Sequence, residues 1–264
     1  MNFDITYPNL NFAHKTDVGP MFAENFEEHY HLIYEIIYLV DGDVDLVLEN
    51  RVFHLNIGDL VFIQPGQHHH ITPNPTTRYE RYVLKFPEYS IPEEIRAKMA
   101  LRPTQFSATN TVLPQLFAHL DWNYEHYSGS DLNLLFGSVL TEILVYYCAQ
   151  PDDPEESVVF YSQKMADVVE YINVNLAEPL QIQDICEHFH YSKSHISKEF
   201  VKCMGVPIKQ YIRTKKIFLA ESLLNSGMKP TEVYRHCGFS DYSTFYRDYC
   251  KIIGKAPSSS KNAE

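Results

Sequence analysis

Hydrophobic positions along this chain change period once. Over residues 29–86, short runs rich in Ile, Val, Tyr and Phe are cut by turn signals: Asp41-Gly42-Asp43, Glu49-Asn50-Arg51, Asn56-Ile57-Gly58-Asp59, Pro65-Gly66 and Pro73-Asn74-Pro75. β-Branched and aromatic runs bounded by such residues read as strands. Their even spacing predicts a small antiparallel barrel or jelly roll. Residues 111–125 and 131–148 have helical period; in the second, Leu132, Leu135, Val139, Ile143 and Tyr146 fall on one face. Before them, the first 25 or so residues are aperiodic and are expected to form an arm. Residues 149–157, AQPDDPEES, are polar, acidic and broken by two prolines, as in an interdomain linker. From Tyr161 the helical period holds to the end.

The helical part contains a repeat. Lys198, Phe200, Lys202 and Gly205 recur as Arg247, Tyr249, Lys251 and Gly254 at an offset of 49, and Ile185 and Ser192 recur as Val233 and Ser240 at 48. Each copy reads as a short helix, a turn and a second helix ending in basic residues and a glycine. Two helix-turn-helix units in tandem can set two helices in successive major-groove segments. In the first, His190-Tyr191 turns the chain, Ser192 is a credible N-cap and Gly205 suits the left-handed residue closing a helix. Ile196 and Phe200 face inward, leaving Ser194, His195, Ser197, Lys198 and Lys202 outward. In the second, Gly238 turns the chain, Ser240 is the expected N-cap, and Phe245 and Tyr249 face inward. Tyr242, Ser243, Thr244, Tyr246, Arg247 and Lys251 are then the candidates for DNA. Arg reads guanine with two bonds, while Ser and Tyr reach phosphates or bases. On the helix between the units, Arg213, Lys215 and Lys216 are expected to be available to phosphates. A solvated basic face without a partner is the bland alternative, and for His195 an ordinary surface residue fits as well.

Charge follows the same division. The net charge of −12 is wrong for a DNA binder taken whole. Residues 1–161 carry 8 Lys+Arg against 23 Asp+Glu, a net of −15, whereas residues 162–264 carry 14 against 11, a net of +3. Segregation of this kind fits a chain whose second part alone meets phosphate. The five cysteines include no CxxC pair, and four sit where a helix would bury a small apolar residue, as reduced thiols of a cytosolic protein do. No signal peptide is expected, nor a membrane span, for which an apolar stretch of roughly 20 residues is needed. A cytoplasmic protein without membrane contact is expected.

Residues 164–258 resemble the DNA-binding domain of the AraC/XylS family of transcription regulators. The resemblance rests on Gly205-x-Pro207 with Tyr211 downstream, on the run Gly238-Phe239-Ser240-Asp241-Tyr242-Ser243-Thr244-Phe245-Tyr246-Arg247, and on Gly254 and Pro257. Lys216 departs from the family's usual Arg, and Tyr234 from its usual small residue. The resemblance implies seven helices, and base contacts by Ser194, Ser197 and Lys198 in the first recognition helix and Tyr242, Ser243, Thr244 and Arg247 in the second. It also implies promoter DNA and RNA polymerase as partners, a small-molecule effector such as a sugar, control of carbohydrate-use genes, and a homodimer through the 131–148 helix. There Leu132, Leu135 and Val139 would face the partner and Leu140 and Leu144 the barrel. Trp122 is expected to be buried between helices.

The amino-terminal part holds one chemical constellation. His29-x-His31-x-x-x-Glu35 shares strand parity, and Gly58-Asp59 and Pro65-Gly66-Gln67-His68-His69-His70 follow. This resembles the two motifs of cupin barrels, in which two His, a Glu and a later His bind a divalent metal; His69 matches the last of these. Three roles are open: a metal-free pocket in which His29, His31, Glu35 and His69 hydrogen-bond a small polar effector, with Tyr38 and Arg81 as further candidates; a metal site, whose imidazole and carboxylate donors suit Mn, Fe, Ni or Zn; or polar residues of the barrel mouth. His68 and His70, of opposite parity to His69, are expected at the surface.

The expectation is an α+β multidomain protein. A cupin-like β-barrel with appended helices (1–150) binds effector and dimerises, a linker follows (151–160), and an all-α double helix-turn-helix domain (161–264) binds DNA. It is expected to be no enzyme and to need no cofactor. The rival readings are a metal-dependent cupin enzyme fused to a DNA-binding domain and a protein-interaction module.

Overall fold

A computed structural model describes residues 3–6, 10–20, 29–74, 78–99, 102, 104–150, 159–160 and 162–258. The chain divides into two compact units, residues 1–159 apart from 49–51, and residues 160–264 with 49–51. Most of the segment expected to be a linker, residues 151–158, lies outside the described residues.

In the first unit, strands β1 (Phe3–Thr6), β2 (Asn11–Val18), β3 (Tyr34–Asp41), β4 (Val44–Leu48), β5 (Arg51–Leu55), β6 (Asp59–Ile63), β7 (His69–Pro73), β8 (Arg78–Phe86) and β9 (Gln105–Ser107) form two sheets. One has the order β1-β2-β8-β3-β6-β9; in the other β5, β4 and β7 are neighbours. Helices α1 (Glu93–Met99), α2 (Leu113–His126) and α3 (Gly129–Cys148) complete the unit. Period-2 alternation decides what faces what. On β3, β6 and β8, the side chains of Ile36, Leu60, Phe62, Tyr82, Leu84 and Phe86 pack against α1–α3. Their neighbours Ile37, Leu39, Val61, Ile63 and Tyr79 face the second sheet, meeting Val44, Leu46, Leu48 and Ile71. A strand buried on both faces reads as a continuous apolar run, as in DLVFI of β6.

The amino-terminal segment departs from the expected arm: β2 pairs with β8 along its whole length, from Asn11↔Lys85 to Val18↔Arg78. Its period was hidden because polar residues occupy both faces. His14 is buried, with Nδ1 2.9 Å from Asp121 Oδ2 on α2 and Nε2 2.9 Å from Glu80 Oε1, and Tyr82 donates to the same Asp121 oxygen at 2.6 Å. Residues 21–28 of the expected arm lie outside the described residues.

Helix α3 also corrects the sequence reading. By length and composition it could cross a membrane, yet seven of its residues are buried in the unit's own core, Leu132 and Val139 among them. Its outer ridge consists of Leu134, Ser138, Thr141 and Val145, and the first and last are more than half exposed. Trp122, expected to be buried, is 46% exposed and stacks on His126.

The second unit contains α4 (Gln163–Val174), α5 (Ile182–Phe189), α6 (Lys193–Met204), α7 (Ile208–Asn225), α8 (Pro230–His236) and α9 (Tyr242–Ile253). Among the described residues these are six helices, one fewer than expected. Two small cores share α7. Its first half, through Ile208, Tyr211 and Ile212, completes the core of α4–α6. The second half, through Ile217, Ala220 and Leu224, completes the core of α8 and α9. Cys186, Cys203 and Cys237 are buried, Cys148 and Cys250 partly so, and all five are free thiols.

Candidate functional site

The repeat offset of 49 maps α6 onto α9 residue for residue: both have 12 residues, and both close on a left-handed glycine, Gly205 and Gly254. Their N-caps keep the same offset. Ser192 Oγ accepts from the His195 amide at 3.2 Å, and Asp241 Oδ1 accepts from the Thr244 amide at 2.8 Å. The cap of the second unit is therefore Asp241, not Ser240, because its carboxylate reaches the first-turn donors. The bond from Thr244 holds the Asp241 carboxyl below the usual range. The one-residue slip in the repeat lies in the turn, where His190 and Gly238 both take left-handed φ values of 56° and 63°. A Cβ on Gly238 would stand 2.1 Å from the Glu178 carbonyl oxygen, so close backbone approach as well as φ demands glycine there.

Ser194, His195, Lys198 and Lys202 are exposed on α6, with Ser197 half-buried; Tyr242, Ser243, Tyr246, Arg247 and Lys251 are exposed on α9, with Thr244 half-buried. The inward set is Ile196, Phe200, Phe245 and Tyr249, all fully buried. Two basic helix faces thus stand on packed supports. The linking helix departs from its expected role. Lys216 is 5% exposed, and its Nζ donates to Glu178 O at 2.6 Å and to Gly238 O at 2.9 Å, tying one motif to the other. Burial pulls its pKa below that of a free lysine. Arg213 is engaged with Asp248 of α9 at 3.0 Å. Sequence reasoning missed Lys193 and Lys209, which with Arg213 line a cleft of about 410 Å³ between the motifs. The signal available was Lys193 itself, standing where the repeat has Tyr242. Tyr234 packs edge-on against Tyr242, so the large residue supports a recognition-helix side chain.

The second site is inside the barrel. A cavity of about 300 Å³ is lined by Lys15 on β2, Glu35 on β3, Arg81 and Lys85 on β8, and His69 and His70 on β7, with His29 also on its wall. The odd-numbered positions of β3 and β8 face it, which brings Glu35 and Arg81 together. Tyr38 has the opposite parity and does not line it; the ring stacks on Phe117 among the helices at 4.7 Å. His29 and His31 precede β3, so strand parity is not what aligns them with Glu35. Instead His29 and His69 exchange backbone bonds of 3.1 and 2.9 Å, and the Gly66 amide donates to His31 O at 2.9 Å. His68, expected at the surface, is 1% exposed beside Tyr30, and His70 lines the cavity. Burial works to raise the Glu35 pKa, but contacts to His31 and His69 and the charge of Lys85 outweigh it and hold the carboxyl well below the usual range. Arg81 pairs with Asp17 and covers the Tyr79 ring at 4.2 Å.

A sheet-built cavity and a paired helix-turn-helix domain on one chain are the make-up of a transcription regulator with a ligand-binding domain. Residues 23–132 match the family described as AraC-like ligand binding domain, and residues 185–263 match a helix-turn-helix domain family. The chain belongs to the AraC family of transcriptional regulators. It is 25% identical over 244 residues to the uncharacterized HTH-type transcriptional regulator YfiF of Bacillus subtilis, covering 87% of this chain and 76% of that one. The transcriptional activator AarP of Providencia stuartii is 27% identical over 100 residues, 38% of this chain and 74% of its own. Among solved structures, ToxT from Vibrio cholerae overlays with a TM-score of 0.38 at 14% identity, covering 96% and 97% of the two chains.

Proposed function

We propose that this chain reads promoter DNA with α6 and α9 as a pair and is switched by a small, polar, at least partly anionic metabolite held in the barrel cavity. The observation that carries the DNA reading is the exact correspondence of the two helices: Lys198 and Arg247 occupy one position of a 12-residue unit, exposed both times, above a fully buried apolar face. Chance surface charge has no reason to repeat with the core. Phosphate contacts then fall to Lys193, Lys202, Lys209 and Lys251, and base readout to Arg247, Tyr242, Ser243 and Thr244. The effector class rests on the cavity wall, where Lys15, Arg81 and Lys85 outnumber the one lining carboxylate, Glu35, while Arg81 also pairs with Asp17 and Lys15 with Asp4. The Arg81 guanidinium covers a face of Tyr79 that a sugar ring would need. The regulator works as a homodimer through the outer ridge of α3, Leu134 and Val145, and meets RNA polymerase at its promoters.

Selection of bound duplexes from a random DNA pool, with wild type beside Lys198→Ala/Arg247→Ala, tests the reading. Wild type should enrich two blocks about one helical turn, ~10 bp, apart, and the variant neither. Equal enrichment by both proteins refutes the assignment of α6 and α9. Titration with carboxylate metabolites and neutral sugars, read as a change in DNA affinity or transcription, tests the cavity. A response to sugars that survives Arg81→Ala refutes the effector class. Leu134→Glu/Val145→Glu should make the protein monomeric in sedimentation, and a persisting dimer moves the interface elsewhere.

A further inference from the structure

The two helix-turn-helix motifs match in core and closing glycine but differ in one coordinated respect. The second carries a row of three aromatic rings: Tyr234 on α8, and Tyr242 and Tyr246 one turn apart on α9. Tyr234 meets Tyr242 edge-on at a centroid distance of 5.7 Å, and Tyr242 and Tyr246 are 6.1 Å apart. The row is held at both ends. Arg235 Nε donates to the Tyr234 hydroxyl at 2.9 Å, and a hydrogen bond with Cys250, one turn beyond Tyr246, engages the Tyr246 hydroxyl. At the same repeat offsets the first motif has Cys186, Lys193 and Ser197. It folds to the same plan without any of these rings, so packing of the motif does not call for them. Tyr242 and Tyr246 stand exposed on a helix that already buries Phe245 and Tyr249.

We propose that Tyr242 and Tyr246 read thymine, by its C5 methyl group, in the DNA block under α9, with Tyr234 as the residue that positions Tyr242. The readout presupposes the DNA-reading role proposed for α9 above. In the major groove every base pair offers donors and acceptors, and among the four bases thymine alone adds an apolar methyl group. An exposed aromatic ring matches that group. The placement fits as well. Tyr242 is the first residue of α9, and the amino-terminal residues of a recognition helix are those that reach base edges. The second ring lies 6.1 Å away, about two base steps of ~3.4 Å each. Its hydroxyl is engaged within the helix, so the ring is what remains for DNA. The first motif, with Lys193 and Ser197 at these positions, lacks this readout. The two DNA blocks therefore differ in composition, and the complex takes one direction on the duplex.

The test uses the full-length protein and synthetic duplexes of the selected sequence, with each thymine of the α9 block replaced in turn by uracil. That exchange removes the methyl group and leaves the pairing edge. The α9 block is the one that Arg247→Ala ceases to select. Binding, read by fluorescence anisotropy, should weaken about 4-fold at each contacted thymine, the effect of one buried methyl group. The thymine-to-uracil ratio should hold between about 50 and 200 mM salt while both affinities fall, since a methyl contact releases no counterion. Tyr242→Ala/Tyr246→Ala, a double change at exposed positions, should bind the two duplexes alike. Tyr234→Ala should shrink the ratio and Tyr234→Phe keep it; a ratio unmoved by Tyr234→Ala removes the positioning role. Tyr127→Ala, at an exposed ring of the first unit, should leave the ratio unchanged. An α9 block without thymine, equal binding of thymine and uracil duplexes by wild type, or a ratio that survives the double change overturns the proposal and leaves the regulator reading intact. If no duplex is selected at all, both fall.

Discussion

Lys216→Met is the sharpest test of how the two helix-turn-helix motifs are held together. Methionine keeps most of the aliphatic stem and removes the ammonium, whose Nζ donates to Glu178 O and Gly238 O at 2.6 and 2.9 Å. Hydrogen bonds from a charged group contribute ~1.5–3 kcal/mol each. The two together exceed the expected loss, because Met also relieves the cost of holding an ammonium at 5% exposure. Glu178 O keeps a second donor, the Leu180 amide at 2.7 Å, so the orphaned acceptor is chiefly Gly238 O. The net expectation is a loss of about 2–3 kcal/mol in the second unit. For a domain of 60–100 residues each kcal/mol moves the midpoint by roughly 4–8 °C, so the shift should be about 10–20 °C. The assay is thermal unfolding of the full chain by circular dichroism and by fluorescence together. Trp122 is the only tryptophan and lies on α2, so its transition reports the first unit and serves as an internal control. Lys216→Arg, which retains charge and donors, should stay near wild type. A Met variant within about 0.5 kcal/mol of wild type, or one that shifts the Trp122 transition equally, refutes the tie.

Three further outcomes follow from the same geometry. Gly238→Ala should cost more than about 2 kcal/mol in the helical transition, since a Cβ would meet Glu178 O at 2.1 Å and φ is positive; an unchanged melt contradicts the close approach. His14→Leu leaves Glu80 and Asp121 without the ring that separates them, and should lower the stability read by Trp122 by about 2–4 kcal/mol; a stabilised variant would show the network to be dispensable. Asp241→Ala should lower the midpoint at neutral pH. The folded carboxyl is depressed, so its contribution is fully present above the free aspartate value of about 4 and fades as pH falls through the lower folded one. A wild-type-to-variant gap that persists or widens on acidification denies the cap.

Much of the second domain was determined by the sequence alone. Helix caps, closing glycines and inward apolar pairs are local, so the 49-residue repeat carried both helices and the outward set from Ser194 to Lys251 without tertiary information. Where local chemistry offered two caps, Ser240 and Asp241, only the folded backbone decided between them. The four-residue cluster of the barrel was legible as residue types, but not for the reason of strand parity: two backbone bonds between His29 and His69 assemble it across 40 positions of sequence. Tertiary packing alone decided Tyr38, whose register sends it to the helices, and Lys216, whose charge reads as a phosphate contact until Glu178 and Gly238 close over it. It also decided α3, an apolar stripe that could equally meet a partner or its own barrel; the folded core takes Leu132 and Val139 and leaves Leu134 and Val145 outside. Period shows that a face is buried, while its partner is set by long-range contacts that no local pattern encodes.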